Sequence, residues 1–554
     1  MSLRPAAFPS RADTGPTSHT LRWEAGVVQS VAPPGTTDLG PGYLGPDLLP
    51  VGLLARAYTE AMADYGAAAL AYGDDRGALA LRTALAARTH RAGTCEGART
   101  HQTDRISEGV RAHQTDGTSE GARAHQKDRT FDGAHAHQTD GTFGGAHAHQ
   151  TDGTFGGAHA HQKDRTSDGA RAHQKDGIHQ GSRPGCAGGM SCGPEGVLVT
   201  AGTSQALHLL ATTLARPGDA VLVEESCYDL GRLILTDCGL RPCEVPGDAS
   251  GMDPGALDTA LAVSRPAFVY LNPTFHNPTG RVVPLHRRHE LLAVARRHAT
   301  TIVEDDAYAD LYLDGVAPPA ALACLAGHRG VIRLGTFSKS LAPGLRLGWL
   351  TAEPALADRL AAHGVLQSGG CPNHTTSLAV STLLDRGHYD RHLVWLRERL
   401  RERRDALVDV LAARLDAGFQ LDRPVGGLFV WVRTDRREPD LLAAARRAGV
   451  LVSAGSRFGS GGSVPDSVGS GAAPGGVGSG GAISGGIGSG GATPGSFRSG
   501  GAAAPGLGSG PGGARAGAVR LAYSLNGPDE LAAAAERLAA AWNAIPPDRR
   551  GPES

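Results

Sequence analysis

Between residues 197 and 351 the chain repeats one alternation: a short, nearly unbroken apolar run, then a longer segment with apolar residues at helical spacing. The runs are VLVT (197–200), AVLVEE (220–225), AFVYLN (267–272), TTIVED (300–305), VIRLGT (331–336) and RLGWLT (346–351). Helical spacers include SQALHLLATTLA (204–215), PGALDTALA (254–262) and LHRRHELLAVARRHA (285–299). A strand that is apolar on both faces must be covered on both, and helical crossovers supply that cover. The alternation predicts an α/β fold built on a mainly parallel sheet. Beyond residue 354 helix dominates, most clearly in ERLRERRDALVDVLAARL (398–415), with a strand-like GGLFVWV (426–432) and a closing helix over 528–543. That pattern predicts a second, smaller α+β domain.

Composition matters because Gly (79) and Pro (34) together are a fifth of the 554 residues, well above ordinary usage. Two stretches hold the excess. From 94 to 193, His-Gln recurs every twelve residues at His101, His113, His125, His137, His149, His161 and His173. Each repeat unit has at most one large apolar residue, too few for a shared core, which predicts a disordered insertion. Its His-x-His pairs at 135/137, 147/149 and 159/161 also have the chemistry to chelate a transition metal. The second stretch, 459–513, is Gly-Ser-Gly interleaved with Ala and Pro and predicts a disordered, coil-like insertion.

A formal net charge of −1 argues against holding nucleic acid by bulk phosphate neutralisation. Eight cysteines without a CxxC pair read as reduced thiols. No signal-peptide-like apolar stretch opens the chain and no window approaches 18 uninterrupted apolar residues, so the expectation is a cytoplasmic protein with neither membrane nor nucleic acid as partner.

Open α/β sheets bind ligands beyond the carboxyl ends of their strands, which makes the residues after each run the site candidates. After 331–336 come Ser338, Lys339 and, further on, Arg346; with Thr336 they offer an amine for imine formation beside hydroxyls and a guanidinium for an anion. An isolated Ser-Lys is equally a solvated loop. Asp305 closes the next run, with Tyr308 three residues on; a buried acid there needs a partner, such as a protonated pyridine nitrogen, or belongs to a plain charged strand end with Glu304 and Asp306. HNPTG (276–280) forces a turn and presents Asn277. Gly202-Thr203-Ser204 opens a helix, whose free N–H groups suit a phosphate, although any helix cap looks alike. Tyr228 either stacks on a planar ligand or packs.

Taken in order, Gly-Thr-Ser-Gln, Tyr, NPTG, DDAY and TFSK with its arginine resemble the fold type I pyridoxal-phosphate aminotransferases of class I/II, in the subgroup with 2-aminoadipate and kynurenine aminotransferases and the C-terminal modules of MocR-type regulators. The resemblance runs from DLGPGYLGPDLLP (38–50) to VRLAYSLN (519–526) outside the two insertions. It implies a seven-stranded large-domain sheet and the following organisation: an N-terminal arm (1–41), a coenzyme-binding large domain (42–93 and 194–350), and a small domain (351–458 and 514–547).

The same likeness implies pyridoxal 5′-phosphate as cofactor, no metal, and transfer of an amino group from an α-amino acid to a 2-oxo acid such as 2-oxoglutarate by a ping-pong mechanism. Lys339 then carries the coenzyme and moves the proton, Asp305 pairs the ring nitrogen, Asn277 and Tyr308 bond the phenolic oxygen, and Tyr228 stacks on the ring. Thr203, Ser204, Thr336, Ser338 and Arg346 hold the phosphate. Tyr72 reaches the phosphate of a neighbouring subunit in a homodimer; Arg520 clamps the substrate carboxylate, with Gly42 against it. Two departures stand out: Glu-Ser-Cys precedes Tyr228 where the family more often has Glu-x-Pro-x, and the glycine-rich stretch ends just before Arg520. A coenzyme-binding sensor with little turnover, or a lyase or decarboxylase, is the alternative activity.

Overall fold

The computed structural model describes residues 33, 35–89, 192–459 and 517–547. Both predicted disordered insertions, with their His-x-His pairs, lie outside the described residues apart from one or two flanking positions.

Seven strands form the large sheet: β1 (Val197–Thr200), β2 (Ala220–Glu224), β3 (Arg241–Val245), β4 (Phe268–Leu271), β5 (Ile302–Asp305), β6 (Val331–Thr336) and β7 (Gly348–Thr351). They lie in the order β1-β7-β6-β5-β4-β2-β3, parallel throughout except that β7 runs against both neighbours. Every residue of β1, β2, β4 and β5 is buried, as the unbroken apolar runs require. Strand β3 (RPCEV) was not foreseen. Its proline removes a ladder donor and its side chains are half exposed, which an edge position tolerates and an apolar-run criterion misses.

Helix α1 (Thr203–Leu214) packs Ala206, Leu207, Leu210 and Ala211 inward at three- and four-residue spacing. Arg346 is not a strand residue, contrary to the reading of 346–351. Its backbone is left-handed (φ 47°), and β7 begins two residues later. The long helix runs from His388 to Arg414, ten residues earlier than its clearest sequence stretch, because its first three turns carry both charge and buried Leu393 and Leu396.

A second sheet joins β8 (Phe419–Leu421), β9 (Phe429–Thr434), β10 (Ser453–Ala454) and β11 (Gly517–Ala522) in the antiparallel order β8-β9-β11-β10. The closing helix, Pro528–Asn543, buries Leu531, Leu538 and Trp542 beside it, each contributing roughly 1.5–3 kcal/mol of apolar burial. Leu39, Leu44 and Leu48 enter this same core, and Thr37–Asp38 pairs in parallel with Val450–Leu451. The entering chain is thereby fixed across the small sheet, and this carries Gly40 to Gly42 to the ends of the large-sheet strands. No described helix is long and apolar enough to cross a membrane.

Candidate active site

Register decides which side chains meet. Val223 lies opposite Tyr270, Leu271 opposite Glu304, and Asp305 opposite Leu334, so the carboxyl ends of β2, β4, β5 and β6 open at one edge. Gly42, Tyr228, Asn277, Tyr308, Lys339 and Arg520 line one cavity there, with a volume of about 690 Å³.

Three consecutive acids end β5, and they go to separate tasks. Glu304 accepts hydrogen bonds from the Leu322 and Ala323 amides at 2.8 and 3.0 Å, with Arg288 3.5 Å away. Asp306 pairs with Arg333, whose Nη2 is 2.6 Å away. Asp305, between them, points to the other side and has no arginine partner among the described residues. Its Oδ2 accepts from the Tyr270 hydroxyl at 2.8 Å, while its buried Oδ1 has no hydrogen-bond partner among the described residues. Burial pushes its carboxyl up to about 6, with the Tyr270 hydrogen bond pulling the other way. A buried acid left half-satisfied is costly unless something cationic or donating occupies the space beside it.

Lys339 Nζ donates to the Gly42 carbonyl at 2.8 Å and lies 5.9 Å from the centroid of the Tyr308 ring. Desolvation and the Arg520 and Arg346 guanidinia hold its amine down to about 8, against the pull of Asp305. The neutral amine, the form that nucleophilic attack on a carbonyl requires, is thereby more accessible than for an ordinary lysine. Gly42 must lack a side chain, since a Cβ there would stand 2.4 Å from Phe429 Cζ.

Arg520, in the middle of β11, is buried over the rings of Phe429 and Phe458, 4.2 and 4.7 Å from their centroids. Its Nη1 donates to Asn277 Oδ1 and its Nη2 to the Gly40 carbonyl, both at 2.7 Å, with Ser453 Oγ 3.3 Å away; buried Nε has no partner among the described residues. Tyr308 is buried edge-on to Phe429 and its phenol is pushed up by burial, as is that of Tyr228.

A second cluster flanks the cavity. Thr200 and Thr336 both sit opposite Gly348 in the sheet, which brings the start of α1 beside the Thr336–Ser338 turn. Gly202 caps α1 at φ 85°, and a Cβ there would come 2.9 Å from Arg346 Nη2. Arg346 Nη2 donates to the Ala201 carbonyl at 2.8 Å, and the Thr336 and Ser338 hydroxyls are 3.0 Å apart. Thr203 is the first helical residue; Ser204 is exposed. The arrangement combines free helix N–H groups, two hydroxyls and a guanidinium, a donor set suited to a phosphate dianion. Tyr72 stands apart: it is 88% exposed and lines no part of the cavity.

Sequence reading missed several contributors. Tyr270 and Asn272 lie inside one of the apolar runs, and only the register shows Tyr270 on Asp305 and Asn272 Oδ1 accepting from the Asn277 amide at 2.8 Å. Ser453, Phe429 and Phe458, which seat Arg520, gave no local signal. Among the described residues no group of three or more metal-ligating side chains gathers, and the six described cysteines are free thiols.

Residues 187–468 match the family model for aminotransferase class I and II. Over 244 residues the chain is 38% identical to a 2-aminoadipate transaminase of Thermus thermophilus, covering 43% of this chain and 60% of that one. Over 246 residues it is 32% identical to an uncharacterized HTH-type transcriptional regulator, YisV, of Bacillus subtilis, covering 44% and 50%. The chain thus spans half to three fifths of the length of these curated relatives.

Among solved structures, LysN, an α-aminoadipate aminotransferase of Thermus thermophilus complexed with N-(5′-phosphopyridoxyl)-L-leucine, superposes with a TM-score of 0.59 at 22% identity, over 93% of this chain and 95% of that one. A kynurenine aminotransferase of Pyrococcus horikoshii, in complex with PMP, gives 0.60 at 20% identity, over 93% and 91%. The architecture is that of the fold type I aminotransferases. The chain belongs to the class I and II aminotransferase family.

Proposed function

We propose that the protein is a pyridoxal-phosphate-dependent aminotransferase that moves the amino group of an α-amino acid to a 2-oxo acid, with 2-oxoglutarate as acceptor, by a ping-pong mechanism. The observation that carries this reading is a buried acid beside a depressed amine: Asp305, whose buried Oδ1 has no hydrogen-bond partner among the described residues, is near enough to act on the charge of Lys339. The residues fit the coenzyme. Asp305 Oδ1 would accept from its protonated ring nitrogen, Tyr228 would lie against its face, and Asn277 with Tyr308 would reach its phenolic oxygen. Thr203, Ser204, Thr336, Ser338 and Arg346 would hold its phosphate.

When bound, the coenzyme supplies an aldehyde to the amine and a ring that accepts the electron pair released at the substrate Cα. The chain's own residues do the rest. Lys339 would hold the coenzyme through its amine and, with that amine freed, would take the proton from the substrate Cα. Arg520 binds the substrate α-carboxylate in the place its unpartnered Nε marks, and its planar fork fixes which Cα bond faces Lys339. Phe429 and Phe458 lie against the guanidinium and would hold its orientation.

Tyr72, exposed on one chain, supports a homodimer in which it completes the phosphate site of a second copy. Free thiols among the described cysteines fit a cytoplasmic setting. To test the activity, the coenzyme-loaded chain is titrated with α-amino acids and its visible absorbance followed. Amino donor should shift the spectrum and 2-oxo acid should restore it. Loading without any such cycle, with every donor tried, would overturn the assignment.

A further inference from the structure

The turn that carries Lys339 is held from behind by groups for which the proposed chemistry has no use. Its Phe337 carbonyl accepts from the Leu341 and Ala342 amides at 2.8 and 3.2 Å, which closes the turn. Ser340 is buried and lines no part of the cavity. Its Oγ lies 2.8 Å from the hydroxyl of buried Tyr389, and that hydroxyl lies 2.9 Å from Asp310 Oδ2. Tyr389 and His392 belong to the start of the long helix His388–Arg414. His392 Nε2 donates to the Ser340 carbonyl at 2.8 Å, and the Phe337 ring packs edge-on against Tyr389, 5.5 Å between centroids.

Counting protons fixes the direction of this chain. A carboxylate only accepts, so the single phenolic proton goes to Asp310 and Ser340 donates to the phenol. Burial, with Asp310 beside it, pushes the Tyr389 phenol up, so it keeps that proton. Desolvation would raise the Asp310 carboxyl, but Arg88, whose Nη2 is 2.9 Å from Oδ1, outweighs it and holds the group below its ordinary value. Arg88 also lies over the Tyr389 ring, 4.8 Å from its centroid, and pairs with Asp390. Each end of the chain stands next to a residue of the site. Ser340 follows Lys339, and Asp310 is two residues beyond Tyr308, whose ring centroid is 5.9 Å from Lys339 Nζ.

We infer that Tyr389 is a positioning residue: its hydroxyl braces the Lys339 turn against the Tyr308 segment and so fixes where the Lys339 amine stands in the coenzyme site. The inference rests on the proposed coenzyme site and adds to it a residue that touches neither coenzyme nor substrate. One buried phenol joins the two segments because a displacement of a fraction of an ångström is felt by an oriented reaction.

Tyr389→Phe deletes the phenolic oxygen and keeps the ring contacts with Phe337 and Arg88. A cavity of about 70 Å³, lined by Asp310 and Ser340 among others, can admit water to both groups, so the variant should fold. Two ligands of the coenzyme-free full chain separate positioning from loss of structure. Pyridoxamine 5′-phosphate offers the ring and the phosphate without an aldehyde, and its affinity by calorimetry should change by less than about twofold. Pyridoxal 5′-phosphate is captured when its aldehyde condenses with the Lys339 amine and water leaves. The rate of that capture, followed by absorbance and assigned to Lys339 by borohydride trapping, should fall about tenfold.

Ser340→Ala cuts the same link from its other end and should show the same split, and it decides alone if Tyr389→Phe does not fold. The double variant should capture no more than about twofold slower than the slower single one, because both remove one interaction. Capture at the unaltered rate, equal losses for the two ligands, or additive losses in the double variant would overturn the brace. The split in a chain that transfers no amino group from any donor upholds the brace and overturns the activity. Amino transfer without the split overturns the brace alone, and an unaltered chain that captures nothing at Lys339 overturns both.

Discussion

The cavity has a floor and a wall that are built differently. The floor (Asn277, Tyr308 and Lys339, with buried Asp305 near enough to act on the Lys339 charge) comes from segments at the strand ends of the large sheet within about sixty residues of sequence, and its groups are mostly buried. The wall (Arg446, Arg457, Arg520, Phe429) comes from the small sheet and its helix, and its arginines range from buried to exposed. Burial on the floor shifts both key groups toward neutrality, Asp305 upward and Lys339 downward. The wall gathers three guanidinia around the same cavity. On the proposed function, coenzyme chemistry falls to the large sheet and substrate binding to the small one.

Substitutions should separate the two regions. The largest effect belongs to Lys339→Ala, which should abolish covalent coenzyme retention and lower turnover by roughly 10⁴-fold or more, with the fold intact by circular dichroism. Asp305→Asn keeps shape and removes charge; kcat should fall roughly 10²–10³-fold, because the ring nitrogen loses its anionic partner. On the wall, Arg520→Lys retains a cation without the fork, so KM for the amino donor should rise on the order of 10- to 100-fold while the coenzyme stays bound. Loss of coenzyme in that variant would erase the distinction between floor and wall.

The smallest effect is a pH shift. Asp305 has its folded value raised to about 6, so it is protonated below that and cannot pair a protonated ring; coenzyme affinity of the empty chain should fall as the pH drops through about 6. Tyr270→Phe removes the hydrogen bond that favours the ionised form, so this limb should move to higher pH and affinity at pH 7 should drop by roughly tenfold or less. A limb that stays in place would show that Tyr270 does not tune the acid.

The floor residues were legible as candidates because Asp305 ends an apolar run and Asn277, Tyr308 and Lys339 follow one within three to five residues, where a buried strand leaves little freedom in where the chain goes next. The runs gave six strands of the large sheet; β3 escaped because an edge strand with Pro242 and two charged residues need not look apolar. Of the wall, Arg520 was legible only through the resemblance of VRLAYS. Arg446 and Arg457 were not legible at all, since an arginine at a helix end or in a turn reads as solvated surface until the fold brings three of them around one cavity. Tyr270 escaped for the same kind of reason: its partner is thirty-five residues away and only strand register joins them.

The most direct measurement is to load the chain with pyridoxal 5′-phosphate, reduce with borohydride, digest, and locate the modified residue by mass spectrometry. A single pyridoxyl group on the peptide containing Lys339 is the expected result. A label on another lysine, or none, would contradict the assignment of the floor as the coenzyme site.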